Sequence, residues 1–281
     1  MRSTLSICAA LLAIGSSQAQ ASELFHDDFE SGTNLSSPLP SGYGWNGTNS
    51  GSADAVGVSA DIAHSGTHSV KFTFGGNADL ADDAWSELRY VLGYNMNEVY
   101  MQWYVYYPDG TEGLGPKWQH RMVSPNNNKF YKLWADSYTN YTVATGVSTH
   151  ALENQCDLYF VEYGTNQGLP VAGHGASADF SGTDERLGRR LKIQIRTKTA
   201  TAANNDGAIQ MWIDDVMVLN DTALPLYPSG GAGNYLRNGY LMGWMNSGFA
   251  ETSSMYIDDV TIADAPIGTV GPRAPNNLQV H

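Results

Sequence analysis

Disulfides are out of reach for this chain. It has two cysteines in 281 residues, Cys8 and Cys156, and the first falls in a segment expected to be removed. One remaining thiol cannot close an internal bridge, so stability must come from the buried core. Cys156, in CDLYFVEY, is read as an inert buried thiol on a strand. Cations are scarce too: 15 Lys and Arg stand against 28 Asp and Glu, a formal net charge of −13. That balance excludes nucleic acid and an anionic membrane surface as partners. The longest apolar run, Leu5 to Ile14, is too short to span a bilayer. Helical periodicity is nearly absent, and only DERLGRR (184–190) reads as briefly helical. There is no H-E-x-x-H zinc spacing, no Ser-His-Asp elbow and no phosphate loop.

What is present begins with a leader. MRSTLSICAALLAIGSSQAQA carries Arg2, then the apolar run, then the small-residue ending Ala19-Gln20-Ala21. This three-part pattern predicts a signal peptide over 1–21 and export to the periplasm or the exterior. Too little precedes Cys8 for a lipoprotein anchor. Removal of the leader leaves 14 Lys and Arg and a net charge of −14. Residues 22–265 have the length of one large all-β domain, expected as a monomer. Residues 266–281, PIGTVGPRAPNNLQVH, read as an extended Pro/Gly-rich tail. Its PRAPNNLQV resembles the opening strand of a fibronectin type III module.

Alternation with period two dominates the rest. It predicts strands at 69–74, 85–93, 98–107, 129–135, 156–163, 191–199, 208–213, 238–246 and 253–263. Turn-rich pieces such as PDGTEGLGP, SPNNN and AANNDG separate them. Short strands between such turns indicate a sandwich or barrel, and no stretch has room for crossover helices. WIDDVMV (212–218) and YIDDVTI (256–262) echo each other. The first Asp-Asp pair is read as a tight turn, the second as part of a closing strand.

Several of these pieces resemble the concanavalin A-like jelly roll of laminin G-type domains, bacterial glucanases and polysaccharide lyases. LFHDDFESG (24–32) resembles its first strand, DGAIQMWIDDVMVLN (206–220) its strand-turn-strand, and SSMYIDDVTIAD (253–264) its closing strand. The resemblance covers most of 24–264 and implies an all-β sandwich of two antiparallel sheets. WSELRY (85–90) resembles the R-S-E-L-R strand of alginate-lyase-type jelly rolls, whose two arginines and glutamate point into the substrate groove. Glu87 and Arg89 match, while Trp85 stands where the first arginine would be. The Q-I-H and Y-x-K-x-G-x-Y motifs of that family are not present as such. The implied class is lyase-like, with no family assigned.

The few cations are clustered. Lys117, Arg121, Lys129 and Lys132 fall in one window; Arg186, Arg189, Arg190, Lys192, Arg196 and Lys198 fall in another. If the strands at 85–89, 129–134 and 192–198 lined one concave sheet, they would make a basic, aromatic groove in an acidic body. The competing reading is a scattered, solvated surface. A groove of that kind suits a uronate polysaccharide, where β-elimination needs a neutralised carboxylate, a base and an acid. Candidate catalytic residues are His120 as base, Arg89, Glu87, Arg121, Lys132 and Tyr106. Tyr104 and Tyr131 are further candidates for the acid. Candidate substrate-binding residues are Trp85, Gln102, Tyr104, Trp134, Gln194 and Arg196. A glycosidase would need a second carboxylate opposite Glu87, from Asp136, Glu153 or Glu162; the E-x-D-x-x-E pattern of jelly-roll glucanases is absent.

Asp28 and Glu30 on the first strand, with Asp259 (or Asp258) on the last, resemble the cation site of adhesion-type jelly rolls. Oxygen ligands favour a structural Ca²⁺ there. No organic cofactor is expected. The expected function is a secreted lyase acting on an acidic polysaccharide. The alternatives are a carbohydrate-binding or adhesion module and a jelly-roll glycoside hydrolase.

Overall fold

Side chains that alternate between apolar and polar become strands here. A computed structural model describes residues 22–32, 35–36, 38–76, 83–118, 126–134, 144–151, 158–164, 175–176, 187–201, 206–224, 235–245 and 249–268. These residues contain β1 (Glu23–Asp27), β2 (Gly44–Ser50), β3 (Ala55–Ser59), β4 (Ser69–Phe74), β5 (Ala84–Met96), β6 (Glu98–Tyr106), β7 (Asn126–Trp134) and β8 (Ala144–Ala151). They continue with β9 (Leu158–Gly164), β10 (Gly175–Ala176), β11 (Arg190–Lys198), β12 (Gly207–Ile213), β13 (Val216–Leu224), β14 (Leu236–Leu241), β15 (Trp244–Met245) and β16 (Ser253–Ala263). Among the described residues no helix is long and apolar enough to cross a membrane.

The strands form two antiparallel sheets. Sheet A runs β13-β12-β11-β6-β16-β4-β3, with β1 beside β16. Sheet B runs β10-β9-β8-β7-β14-β5-β15, with β2 beside β5. Neighbours in each sheet are mostly distant in sequence, as in a jelly roll. The inner faces meet in one core. Met101, Trp103 and Val105 of β6 and Leu191, Ile193 and Ile195 of β11 come from sheet A. Leu88, Tyr90 and Leu92 of β5, with Tyr131 and Leu133 of β7, come from sheet B. Trp103 stacks on Tyr131 with ring centroids 6.2 Å apart, and the Tyr131 hydroxyl lies 3.1 Å from that of Thr197. The first contact joins the sheets through stacked rings and the second through paired hydroxyls.

Gly239 makes one core contact possible. The Tyr90 hydroxyl donates to the Lys132 carbonyl at 3.2 Å, reaching from β5 to β7 across β14. A Cβ on Gly239 would collide with both the Lys132 carbonyl and the Tyr90 phenol. Only a glycine lets that bond pass.

The two Asp-Asp pairs do different work. Asp214 and Asp215 have φ of 50° and 66°, so β12 and β13 are joined by the two-residue turn in which both residues are left-handed. In β16, Asp259 has φ of 48° at a register shift between Asp258 and Thr261. This bulge aims both carboxylates at the chain around His64.

β4 and β16 have the bounds their alternation predicts. The expected strand at 238–246 is instead two, β14 and β15, parted at Met242, whose φ is 52°. β2, β3, β8 and β10 were not anticipated; GWNGTNS and ATGVSTHA lack a dense apolar alternation. Residues 187–189 form a turn into β11 rather than a helix. The leader, residues 184–186, Cys156 and the tail from 269 lie outside the described residues.

Candidate active site

The outer face of sheet B gathers the site. Alternation along β5 turns Leu88 and Tyr90 to the core and Trp85, Glu87 and Arg89 to the other side. In the register of the sheet, Arg89 pairs with Tyr240 of β14, and Tyr240 pairs with Lys132 of β7. Directly paired residues on antiparallel strands project to the same face. Arg89, Tyr240 and Lys132 therefore form one row across three strands, with a phenol between two cations. Asn238 occupies the next row, opposite Val91 and Trp134.

These side chains are not a solvated rim. Glu87 is 3% exposed, Tyr240 5%, Asn238 6% and Lys132 8%. Charged groups are rarely so covered without a partner or a task. Glu87 has partners. Its Oε2 accepts from Arg89 Nε at 3.0 Å and from Asn49 Nδ2 at 2.9 Å, and Arg89 NH2 lies 2.9 Å away. Both Arg89 nitrogens meet one oxygen, so Glu87 fixes the guanidinium from its side. The Tyr240 ring lies against Gly243, where any Cβ would strike it. At the end of the face, Trp85 pairs with Trp244 of β15, the two rings stacked at 4.7 Å.

Solved structures share this arrangement of sheets. The endo-β-1,4-glucuronan lyase of the fungus Trichoderma reesei matches with a TM-score of 0.57 at 13% identity, over 90% of this chain and 100% of that one. The alginate lyase Aly36B matches with a TM-score of 0.50 at 14% identity, over 78% of this chain and 87% of that one. The fold is a jelly roll of two antiparallel sheets, similar to that of these two lyases. No family model matches the chain, and no curated protein matches it in sequence. Fold alone does not carry activity, so the chemistry must be argued from the side chains of this jelly roll.

The single basic groove expected across both cation windows does not form. β5 and β7 lie in sheet B, but β11 lies in sheet A, and the polar face of β11 is turned away from the core on that opposite sheet. There four cations of the second window pair with acids. Arg189 pairs with Asp214 at 2.8 Å, Lys192 with Asp215 at 2.6 Å, Arg196 with Glu98 at 2.7 Å, and Lys198 with Asp206 at 3.4 Å.

Four other expected site residues share that far face of the jelly roll. Gln102 pairs with Gln194, and Tyr104 with Lys192. Gln194 Nε2 donates to the Ile267 carbonyl at 3.0 Å, so the chain after β16 covers it. Tyr104 stacks on His64 at 3.4 Å. Tyr106 donates to Glu112 at 2.5 Å; burial and that bond hold its phenol far above the usual tyrosine range, which unsuits it as a base. Gln102, Tyr104, Tyr106, Gln194 and Arg196 are thus separated by the whole core from Glu87, Arg89 and Lys132. Tyr131, the further acid candidate, faces the core instead. His120 and Arg121 lie outside the described residues. Trp134 ends β7, and its side chain lies outside them also.

The three expected metal ligands do not converge. Glu30 accepts the Thr67 and His68 amides at 2.8 and 2.5 Å, which lowers its carboxyl to a pKa of about 2. Asp259 holds the other end of the same loop, 2.5 Å from His64 Nδ1 and 2.9 Å from the Ser65 hydroxyl. Asp28 instead accepts the Glu30 amide at 3.2 Å. Among the described residues no cluster of three or more His, Cys, Asp or Glu side chains is placed to hold a metal.

Tyr240, Asn49, Asn238 and Trp244 were missed by sequence reasoning. NGYLMGWMN was read as a strand, and its alternation does put Asn238 and Tyr240 on one side. Nothing in it says which strands flank it.

Proposed function

We propose that this protein cleaves a uronate-bearing polysaccharide by β-elimination on the outer face of sheet B. One observation carries the reading: Arg89, Tyr240 and Lys132 stand in a single cross-strand row, Tyr240 and Lys132 buried and Arg89 partly exposed, with Glu87 orienting Arg89. Arg89 and Lys132 pair with the substrate carboxylate and stabilise the negative charge that grows on it as C5 loses its proton. Tyr240, set between the two cations, takes that proton. The C5–H electron pair becomes the C4–C5 double bond, the C4–O4 bond breaks, and O4 leaves with a proton. Tyr240, once protonated, can return it. In this role it is an alternative to His120, the base expected from sequence.

Glycoside hydrolysis has less support, because the Glu87 carboxylate is committed to Arg89 and Asn49; Asp136, Glu153 and the side chain of Glu162 lie outside the described residues. Purified glucuronan and alginate, incubated with the enzyme and followed by the ultraviolet absorbance of unsaturated uronate, test the proposal. Rising absorbance is expected with at least one polymer. Binding without absorbance on every uronate polymer would leave a carbohydrate-binding module.

Export by the 1–21 leader belongs to the same proposal.

A further inference from the structure

Trp85 and Trp244 face each other on neighbouring strands with centroids 4.7 Å apart and planes 8° from parallel. Neither ring belongs to the core cluster. Both are partly exposed, on the face that carries Glu87 and Arg89. The stack is braced from behind and from the side. A Cβ on Gly51 would lie 3.5 Å from Trp85 Cε3, so the backbone there backs the inner indole closely. Asp54 Oδ2 accepts the Trp85 amide at 2.9 Å. Trp244 Nε1 donates to Asp83 Oδ2 at 2.5 Å, which sets the plane of the outer indole. A flat apolar ring with a fixed polar edge is what the C–H face of a pyranose stacks against.

We infer that the Trp85–Trp244 stack is a sugar-binding subsite for a pyranose other than the one held by Arg89 and Lys132. The inference rests on this face being the polysaccharide site, and it holds whether or not elimination occurs there. Trp85 and Arg89 are four residues apart on β5, about 13 Å along the strand. One sugar ring cannot reach both, so a single chain must lie along β5 and span several units. The charged neighbour of the outer indole is Asp83, an acid. The subsite therefore selects its sugar by shape and turns a carboxylate away from that edge. Contacts at the indoles are insensitive to salt, whereas those at Arg89 and Lys132 are screened.

Calorimetric titration with uronate oligomers from disaccharide to hexasaccharide tests this, alongside kinetics on any polymer cleaved. Trp244→Ala is expected to weaken hexasaccharide binding roughly ten- to hundred-fold, at low and high salt alike, and to leave disaccharide binding unchanged. KM on polymer rises by a similar factor while kcat holds. Trp244→Phe keeps most of the affinity, which guards against a folding artefact, and Asp83→Asn falls between the two. If Trp244→Ala and Trp85→Ala bind the hexasaccharide like the parent while Lys132→Met does not, the subsite is overturned. Weakened binding in Trp244→Ala, with no polymer ever cleaved, keeps the subsite and removes elimination. If no uronate polymer or oligomer binds at all, the reading of the face falls and takes the subsite with it.

Discussion

Tyr240→Phe is expected to lower kcat on the cleaved polysaccharide about a thousand-fold, with substrate affinity changed less than about threefold. The substitution removes one oxygen and keeps the ring against Gly243, so packing on sheet B survives. What is lost is the group that carries the proton, and positioned proton transfer contributes about 10²–10⁴ in rate. Full turnover in Tyr240→Phe would instead move the base to His120, and His120→Ala would then be the inactive variant.

The second large effect is at Arg89. Arg89→Ala removes a cation already paired with the carboxylate in the ground state and more tightly in the transition state. KM should rise and kcat fall, with kcat/KM lower by about 10²–10³. Stability should fall too. Glu87 would be left 3% exposed with Asn49 as its remaining side-chain partner among the bonds that hold it now. Orphaning a buried charge costs about 3–5 kcal/mol. The double variant Arg89→Ala/Glu87→Gln separates the two losses. It removes the orphaned charge, so its melting temperature should return most of the way to the parent's while kcat/KM stays low. Recovery of activity along with stability would show that Arg89 serves the fold and not the substrate.

The strength of the site reading varied with how local each signal was. Glu87 and Arg89 lie two residues apart on one strand, so alternation alone placed them on a common face with Trp85, and the structure agrees. Lys132 was named from one of two windows of bases, whose strands β7 and β11 lie in different sheets. Its membership of the site depends on β14 lying between β5 and β7, a pairing between segments more than forty residues apart in sequence. Gln102, Gln194 and Arg196 were correctly seen as outward-facing residues of polar strand faces. They were given the wrong sheet, because alternation tells in from out and is silent on which sheet a strand joins.

The strand content of the described residues, the Asp214-Asp215 turn and the in-or-out direction of most of their side chains were determined by sequence alone. Each depends on steric preference or period-two patterning within a few residues. Sheet membership and strand order were decided by tertiary structure. They follow from which apolar faces close over one another, a choice made between residues far apart in the chain. That choice set Tyr240 between Arg89 and Lys132, brought Trp244 onto Trp85, and sent the cations of β11 to the far side of the core. The chemistry proposed for this protein thus rests on residue types visible in the sequence and on a juxtaposition that only the folded sheet supplies.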